Sequence, residues 1–370
     1  MTAPLRILHV FGAMNRGGAE LRTLSVMREV DRSRFALEFC ALSGEAGSLT
    51  PVIEELGGRV TPCKLDVGFA PRFVRLVRAR HIDIVHSHVH LASGYILALA
   101  RLAGVPHRIA HFRSTGDERG DTPARAVYRR AMWALVDHNA TAIAAVSAGC
   151  LDAAWGAAWH RDPRCRVIYA GVEPRRFAVD DAAASIRAEL GMPADARVVV
   201  QVARFDDPKN QPLAVDAIAG VPGAHLVFVG RGGTPLENAT RAAVARHGVT
   251  DRVHFVGERA DVARWLVGAD LALLTSTREG LPGVVLEAVA AGTPVVASRL
   301  PGTVETAALL PGIVLRAVDD PPAAWAEAIA AALAAPRRQA ELRAAFLRSP
   351  FTRAASAAAH VALWTGQPAP

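Results

Sequence analysis

Lysine is almost missing from this chain: 370 residues hold two, Lys64 and Lys209, against forty arginines. In that background Lys209 stands out as a compact point charge where arginine is the default. No long hydrophobic run occurs. The apolar stretches 284–291 and 141–146 fall far short of the roughly 20 residues that a membrane-spanning helix needs. The opening MTAPLRILHVFG lacks the longer apolar core of a secretory leader, so a cytoplasmic protein is expected. Cysteine is sparse and scattered. Cys40, Cys63, Cys150 and Cys165 form no CxxC pair, so neither a zinc knuckle nor a disulfide framework is indicated, and four buried thiols are expected. The glycines at 12, 17 and 18 and the GRGG at 230–233 both miss the GxGxxG dinucleotide fingerprint. No low-complexity tract or short repeat is present.

What is there suits a packed globular protein. Hydrophobic residues make up 51% and charged residues 21%, and the length predicts two domains. The formal net charge of +7 favours anionic partners such as nucleotide phosphates or lipid head groups. No nucleic-acid-binding module accompanies that charge, so nucleic acid is not an expected partner.

Short apolar runs alternate with amphipathic stretches, the pattern of βαβ units and parallel sheets. In the first half, strands are predicted at 5–11, 36–42, 82–86, 108–112 and 142–147, with helices at 18–30 and 92–103. Asp121-Thr122-Pro123 reads as a helix start, with a capping side chain and a proline in the first turn. The pattern restarts with strands at 197–203, 225–229, 253–256, 271–275 and 294–297 and helices from Gln211, Pro235, Asp261, Pro282 and Ala323. The segment 170–196 between them, rich in Pro, Asp, Gly and Ala, is the expected junction. The tail 337–364 is helical, broken near Ser349-Pro350.

The densest chemistry lies in STREGLPGVVLEAVAAGTPVVAS, residues 276–298. Glu279 and Glu287 stand eight apart around a predicted helix start. The free N–H groups of Leu281, Gly283 and Val284 at that start can hold a phosphate. Gly283 allows close approach, and Glu287, one turn inside, can accept from two ribose hydroxyls. Upstream, ARFDDPKNQPLAVDAIA places Arg204 at a strand end and Lys209 at a helix start, a potential clamp on a diphosphate. HFVG, residues 254–257, offers Phe255, Val256 and Gly257 as a flat wall for a base.

These three segments together resemble glycosyltransferase family 4, and the resemblance extends over nearly the whole chain. It implies the GT-B fold: two doubly wound, Rossmann-like α/β domains facing across a cleft, with a C-terminal helix packing back on the first. The implied divisions are an acceptor-side domain at 1–170, a nucleotide-sugar-binding domain at 171–350 and a crossover helix and tail at 351–370. The resemblance further implies that Arg204 and Lys209 contact the donor phosphates, Glu287 the ribose and Glu279 the transferred sugar. Two positions depart from the family pattern. Gly283 stands where Asn is frequent, and in YAGVEPRRF Ala170 replaces an asparagine.

The first half carries matching features. In MNRGGAELRTL, Gly17 and Gly18 open a helix whose N–H groups can meet the donor, as in the family's glycine-rich loop. In DIVHSHVH, His86, His88 and His90 alternate and share one face of an extended segment, a spacing that raises a metal site. The run resembles the family's Asp-x-x-His-x-His strand end, which lines the acceptor side without metal. His111 in RIAHFRST resembles the histidine beside the transferred sugar, with Arg113 next to it toward the acceptor. No Asp-x-Asp motif occurs, so no metal and no cofactor are expected. In PRFVRLVRARH, Phe73, Leu76 and Val77 share one helical face and Arg72, Arg75 and Arg78 another, and Arg129 and Arg130 lie beside two aromatics. These stretches fit an anionic membrane surface or plain surface helices.

The expected activity is a metal-independent, retaining transfer of a sugar from a nucleotide-sugar donor, with UDP the expected nucleotide, to a polysaccharide, lipid-linked or small-molecule acceptor. Closure across the junction at Ala170 is expected to complete the site. A nucleotide-sugar epimerase, a phosphorylase or a catalytically degenerate nucleotide-sugar-binding protein are the competing readings in the same fold.

Overall fold

The structure, a computed structural model, describes residues 3–116 and 122–368. The chain divides into two compact units, Met1–Gly171 with Arg353–Pro370, and Val172–Thr352.

The first unit runs β1 (Leu5–Phe11), α1 (Gly18–Glu29), β2 (Phe35–Ala41), α2 (Thr50–Glu55), β3 (Arg59–Pro62), α3 (Phe69–Ala79), β4 (Ile84–Ser87), α4 (Ser93–Leu102), β5 (His107–Phe112), α5 (Pro123–Asn139), β6 (Ala142–Ala145), α6 (Ala148–Trp155) and β7 (Cys165–Val167). Its seven strands are parallel in the order β3-β2-β1-β4-β5-β6-β7. The second runs α7 (Ala182–Glu189), β8 (Arg197–Val202), α8 (Gln211–Ala219), β9 (Ala224–Val229), α9 (Pro235–His247), β10 (Val253–Phe255), α10 (Val262–Gly268), β11 (Leu271–Leu274), α11 (Gly283–Ala291), β12 (Val295–Ser298), α12 (Pro301–Leu309), β13 (Ile313–Arg316), α13 (Pro322–Ala334) and α14 (Gln339–Leu347). Its six strands are parallel in the order β10-β9-β8-β11-β12-β13. Both sheets are doubly wound. Central strands such as β11 and β12 are buried along their whole length, as sheets covered by helices on both faces require.

The last helix, α15 (Arg353–Trp364), belongs to the first unit. It packs against α1. Arg353 pairs with Glu29 at 2.7 Å, Ser356 Oγ donates to the Tyr169 carbonyl at 2.8 Å, and Leu363 and Trp364 join the core formed by Ile7, Phe35 and Ile84. No helix among the described residues is long and apolar enough to cross a membrane.

The long elements follow the apolar runs, and the edge strands β3, β7 and β13 do not. These are three or four residues long and partly exposed, so they leave no distinct apolar run. At α5 the cap is Thr122, whose side chain accepts from the Arg125 N–H, with Pro123 in the first turn; Asp121 lies outside the described residues. α3 buries Phe69, Phe73 and Val77 and exposes Arg72, Arg75 and Arg78. Cys40, Cys63 and Cys150 are buried free thiols, whereas Cys165, on the edge strand β7, is half-buried and not fully enclosed as expected.

A buried ion pair stitches the start of the second sheet. The Arg187 guanidinium donates to Asp270 Oδ2 at 2.7 Å and to the Gly268 carbonyl at 3.1 Å. The Val198 N–H reaches the same Oδ2 at 2.8 Å, and Arg337 pairs with Oδ1. Removing one member leaves the other charged and enclosed. Asp270→Ala is therefore expected to lower the unfolding free energy by about 3–5 kcal/mol in urea denaturation; a loss under about 1 kcal/mol would show that Arg187 is readily rehydrated.

Candidate active site

In a doubly wound sheet the crevice opens where neighbouring strands send their crossovers to opposite faces. In the second unit this point lies between β8 and β11, and the loops after those strands carry Arg204, Lys209 and Glu279. The loop after β8 is tied to the end of β11 by buried polar groups. Thr275 Oγ1 donates toward the carbonyls of Lys209 and Asn210 at 3.0 and 2.8 Å, and Gln201 Nε2 donates to the Lys209 carbonyl at 3.2 Å. The result is an ion pair of Lys209 Nζ with Glu279 Oε1 at 2.7 Å, and Ser276 Oγ donates to the same oxygen at 2.8 Å.

Two local expectations are corrected. Lys209 does not open a helix. It closes a short 3₁₀ turn, Asp207–Lys209, and α8 starts only after Asn210, whose φ of 48° breaks the helical path. Arg204 lies two residues beyond β8, 63% exposed, and pairs with Asp206 at 2.9 Å. The two cations expected to form one clamp thus have separate carboxylate partners.

α11 begins at Gly283 behind Pro282, with no side-chain cap on its first turn. That leaves its leading N–H groups, at Gly283 and Val284 behind the Leu281 turn, suited to an anion. The helix is otherwise apolar, with Val285, Leu286 and Ala288 to Ala291 buried, and Glu287 is its one charged residue, half-buried one turn in. Gly302 on α12 permits the close packing of this loop, since a Cβ there would stand 2.1 Å from the Gly280 oxygen. At the end of β10, Phe255 is half-buried. Its ring packs on Phe228 at 5.2 Å and under the Arg241 guanidinium at 3.9 Å. Val256 and Gly257 remain at that strand end, joined to β9 through Val256 N to Phe228 O and Gly230 N to Gly257 O. A cavity of about 270 Å³ also exists in this unit, at the opposite ends of the strands, against Val295, Ile313 and Leu333. Its carboxylate, Asp270, is already committed to Arg187 and Arg337, so it offers no convergent reactive groups.

In the first unit, Gly17 caps α1 without a side-chain bond and Gly18 is exposed. The Glu20 carboxylate folds back against Gly17, where a Cβ would lie 2.3 Å from Oε2. Burial pushes the Glu20 carboxyl up from its ordinary range, against the pull of Arg113.

The register of β1, β4 and β5 puts His9 beside His86 and brings His88 and His111 to the same sheet face. Their rings lie close together: His86–His88 centroids are 4.3 Å apart, His9–His86 5.0 Å and His86–His111 5.2 Å. His360 of α15 completes the cluster. His90 does not share the face. The chain turns at φ 50° into a 3₁₀ turn, and its ring meets the edge of Phe112 instead. Burial, reinforced by neighbouring charges, holds His9, His86, His88 and His111 well below the usual imidazole range, and His360 at about 4. Burial also lowers the Arg113 guanidinium to about 10, still protonated at neutral pH. Ring nitrogens of His9, His86 and His88 come within 4.8 Å of one another, a span that a metal can use. Arg113 Nε lies 3.1 Å from His88 Nδ1, so a positive charge borders this group. His9, Ser276, His360 and Trp364 carry no motif signal of their own. Of these only His9, two residues before Phe11 on the first strand, could have been found by strand alternation.

Residues 196–335 match a family model for Glycosyl transferases group 1, and residues 16–176 match one for Glycosyltransferase Family 4. The chain is 31% identical over 350 residues to the putative glycosyltransferase EpsF of Bacillus subtilis (strain 168), covering 91% of this chain and 90% of that protein. It is 28% identical over 293 residues to the capsular polysaccharide biosynthesis glycosyltransferase CapH of Staphylococcus aureus, covering 77% and 78%. Among solved structures it is similar to Anabaena Alr3699/HepE in complex with UDP and glucose, with a TM-score of 0.80 at 21% identity over 98% of this chain and 100% of that one. A sucrose-phosphate synthase from Thermosynechococcus elongatus gives 0.78 at 21% identity over 98% of each chain. Two doubly wound units with a returning terminal helix define the GT-B fold class. Within that class the chain belongs to glycosyltransferase family 4 and is a glycosyltransferase.

The five clustered histidines predict an acid-sensitive fold. Each binds its proton more readily unfolded, near 6.5, than folded. The unfolded chain therefore holds more protons below that pH, and stability falls as pH falls, by up to about 1.4 kcal/mol per histidine per pH unit. Urea denaturation at pH 7.5 and 5.5 should show a marked loss at the lower pH; equal midpoints would contradict neutral burial.

Proposed function

We propose that the protein transfers a hexosyl group from a UDP-sugar to a hydroxyl of a polysaccharide or lipid-linked glycan, with retention at the anomeric carbon and without a metal ion. The observation that carries this reading is the Lys209–Glu279 pair beside the uncapped start of α11, one turn ahead of Glu287. The description of Alr3699/HepE in complex with UDP and glucose supports the donor, and the capsular role named for CapH supports the acceptor class. The arginine face of α3 suits an acceptor held at an anionic surface.

In this reading the N–H groups at Leu281, Gly283 and Val284 hold the diphosphate, and Glu287 accepts from the ribose hydroxyls. Val256 lies against the base, and Gly17 and Gly18 leave room for the phosphates. Lys209 has three N–H donors, of which Glu279 takes one. The others, with Arg204 released from Asp206, neutralise the departing diphosphate. Glu279 Oε2 accepts from one hydroxyl of the sugar, and His111 hydrogen-bonds a second. The bond from the anomeric carbon to the diphosphate oxygen breaks and the bond to the acceptor oxygen forms on the same face. The acceptor proton passes to the diphosphate. Arg113, His86 and His88 stand on the acceptor side.

Thermal melting without added metal tests the donor. UDP at about 100 times its dissociation constant is expected to add roughly 2.7 kcal/mol, a shift of several degrees, which Glu287→Ala should remove. A shift with GDP or ADP alone would redirect the donor, and none with any nucleotide would overturn the site. Lys209→Ala is expected to reduce turnover by roughly 100-fold. Near-normal turnover would sink the leaving-group role, and an epimerised donor in place of a glycosylated acceptor would sink the transfer itself.

A further inference from the structure

We propose that Trp364 on α15 is a positioning residue that sets the tautomer of His111 through His86, so that His111 presents a fixed Nε2–H donor. What that donor meets, a hydroxyl oxygen of the transferred sugar, rests on the transferase reading above; the relay itself rests on geometry.

The argument starts from a group that can only donate. Trp364 Nε1–H points at His86 Nδ1 at 3.2 Å. An indole nitrogen has no lone pair to offer, so His86 Nδ1 must be the bare, accepting nitrogen. His86 is then neutral and carries its proton on Nε2. That nitrogen lies 3.0 Å from His111 Nδ1 and donates to it. His111 Nδ1 is therefore also bare, and its own proton sits on Nε2. His111 Nε2 is buried and has no hydrogen-bond partner among the described residues. A buried donor left unpaired is costly, and a relay that drives a proton onto such a nitrogen marks a place built for an acceptor.

A second relay runs beside the first and obeys the same rule. Arg113 Nε–H, again donor-only, lies 3.1 Å from His88 Nδ1. His88 must then carry its proton on Nε2 and donate to His9 Nδ1 at 3.0 Å. This chain also ends in a buried, unpartnered nitrogen, His9 Nε2. In both relays the Nε2 of the middle histidine is protonated, so neither His86 nor His88 offers the lone pair there that a metal would need. His360 faces the cluster with its Nδ1–H turned to the Ser356 carbonyl at 2.8 Å, outside both relays.

Histidine ring ¹⁵N spectra of the full-length protein near pH 7.5 test the relay directly. The expected result is a single neutral tautomer, protonated at Nε2, for His86 and His111. Protonation at Nδ1 of His111, or an imidazolium there, would overturn it. Added Zn²⁺ is expected to leave these signals in place; zinc-shifted signals of His9, His86 and His88 would replace the relay with a metal site. Trp364→Phe removes the N–H and keeps a ring against Phe35, which now packs at 5.5 Å. In that variant the His86 and His111 signals should mix tautomers, and sugar-transfer turnover should fall roughly tenfold with the donor KM unchanged. Unaltered tautomers with unaltered turnover would sink the proposal. The spectra report the relay whether or not turnover is measurable, so a failed transferase reading would show as absent turnover with the tautomers intact.

Discussion

Parallel strands whose crossover helices leave on opposite faces open a crevice at their C-terminal ends. That constraint places the charged pair of the second unit. The sheet order puts β8 beside β11, and the loops that follow them meet in the Lys209–Glu279 ion pair. The loops are also held by neutral hydrogen bonds from Gln201 and Thr275 to the backbone around Lys209. The ion pair therefore sits on a backbone that neutral hydrogen bonds also hold. Gly302 and the apolar body of α11 serve the same end, fixing a helix start whose N-cap residue, Pro282, makes no side-chain cap bond.

The first unit solves a different electrostatic problem. Five histidines and an arginine occupy one end of a sheet face, and were they all charged their repulsion and desolvation would be prohibitive. Burial keeps the rings neutral, and donor-only partners at the head of each chain of rings make that neutrality compatible with hydrogen bonding. The one retained charge, Arg113, is balanced by Glu20, whose carboxylate folds back over the start of α1. Glycine at position 17 is what leaves space for that return.

Much of this was legible in the residues. Central strands announced themselves because burial on both faces demands an unbroken apolar run, and β1 coincides with its predicted span. The EGLPGVVLEAVAAGTPVVAS segment announced its helix start and its two glutamates because glycine, proline and an isolated carboxylate in an apolar helix are local signals. The edge strands β3, β7 and β13 left no such trace, since they are three or four residues long and lack an unbroken buried run. The partners of Arg204 and Lys209 were equally hidden, because which carboxylate a cation finds depends on how two loops meet, not on spacing along the chain.

By itself the sequence determined two doubly wound α/β units, the family, and the segments that bear the chemistry, because periodicity, helix starts and short motifs are written within about twenty consecutive residues. Tertiary structure alone decided that His9 joins His86, that His90 turns away, and that Trp364 reaches across 278 positions to His86. Those outcomes follow from strand register and helix docking, which depend on contacts among residues far apart in the chain and therefore have no local signature.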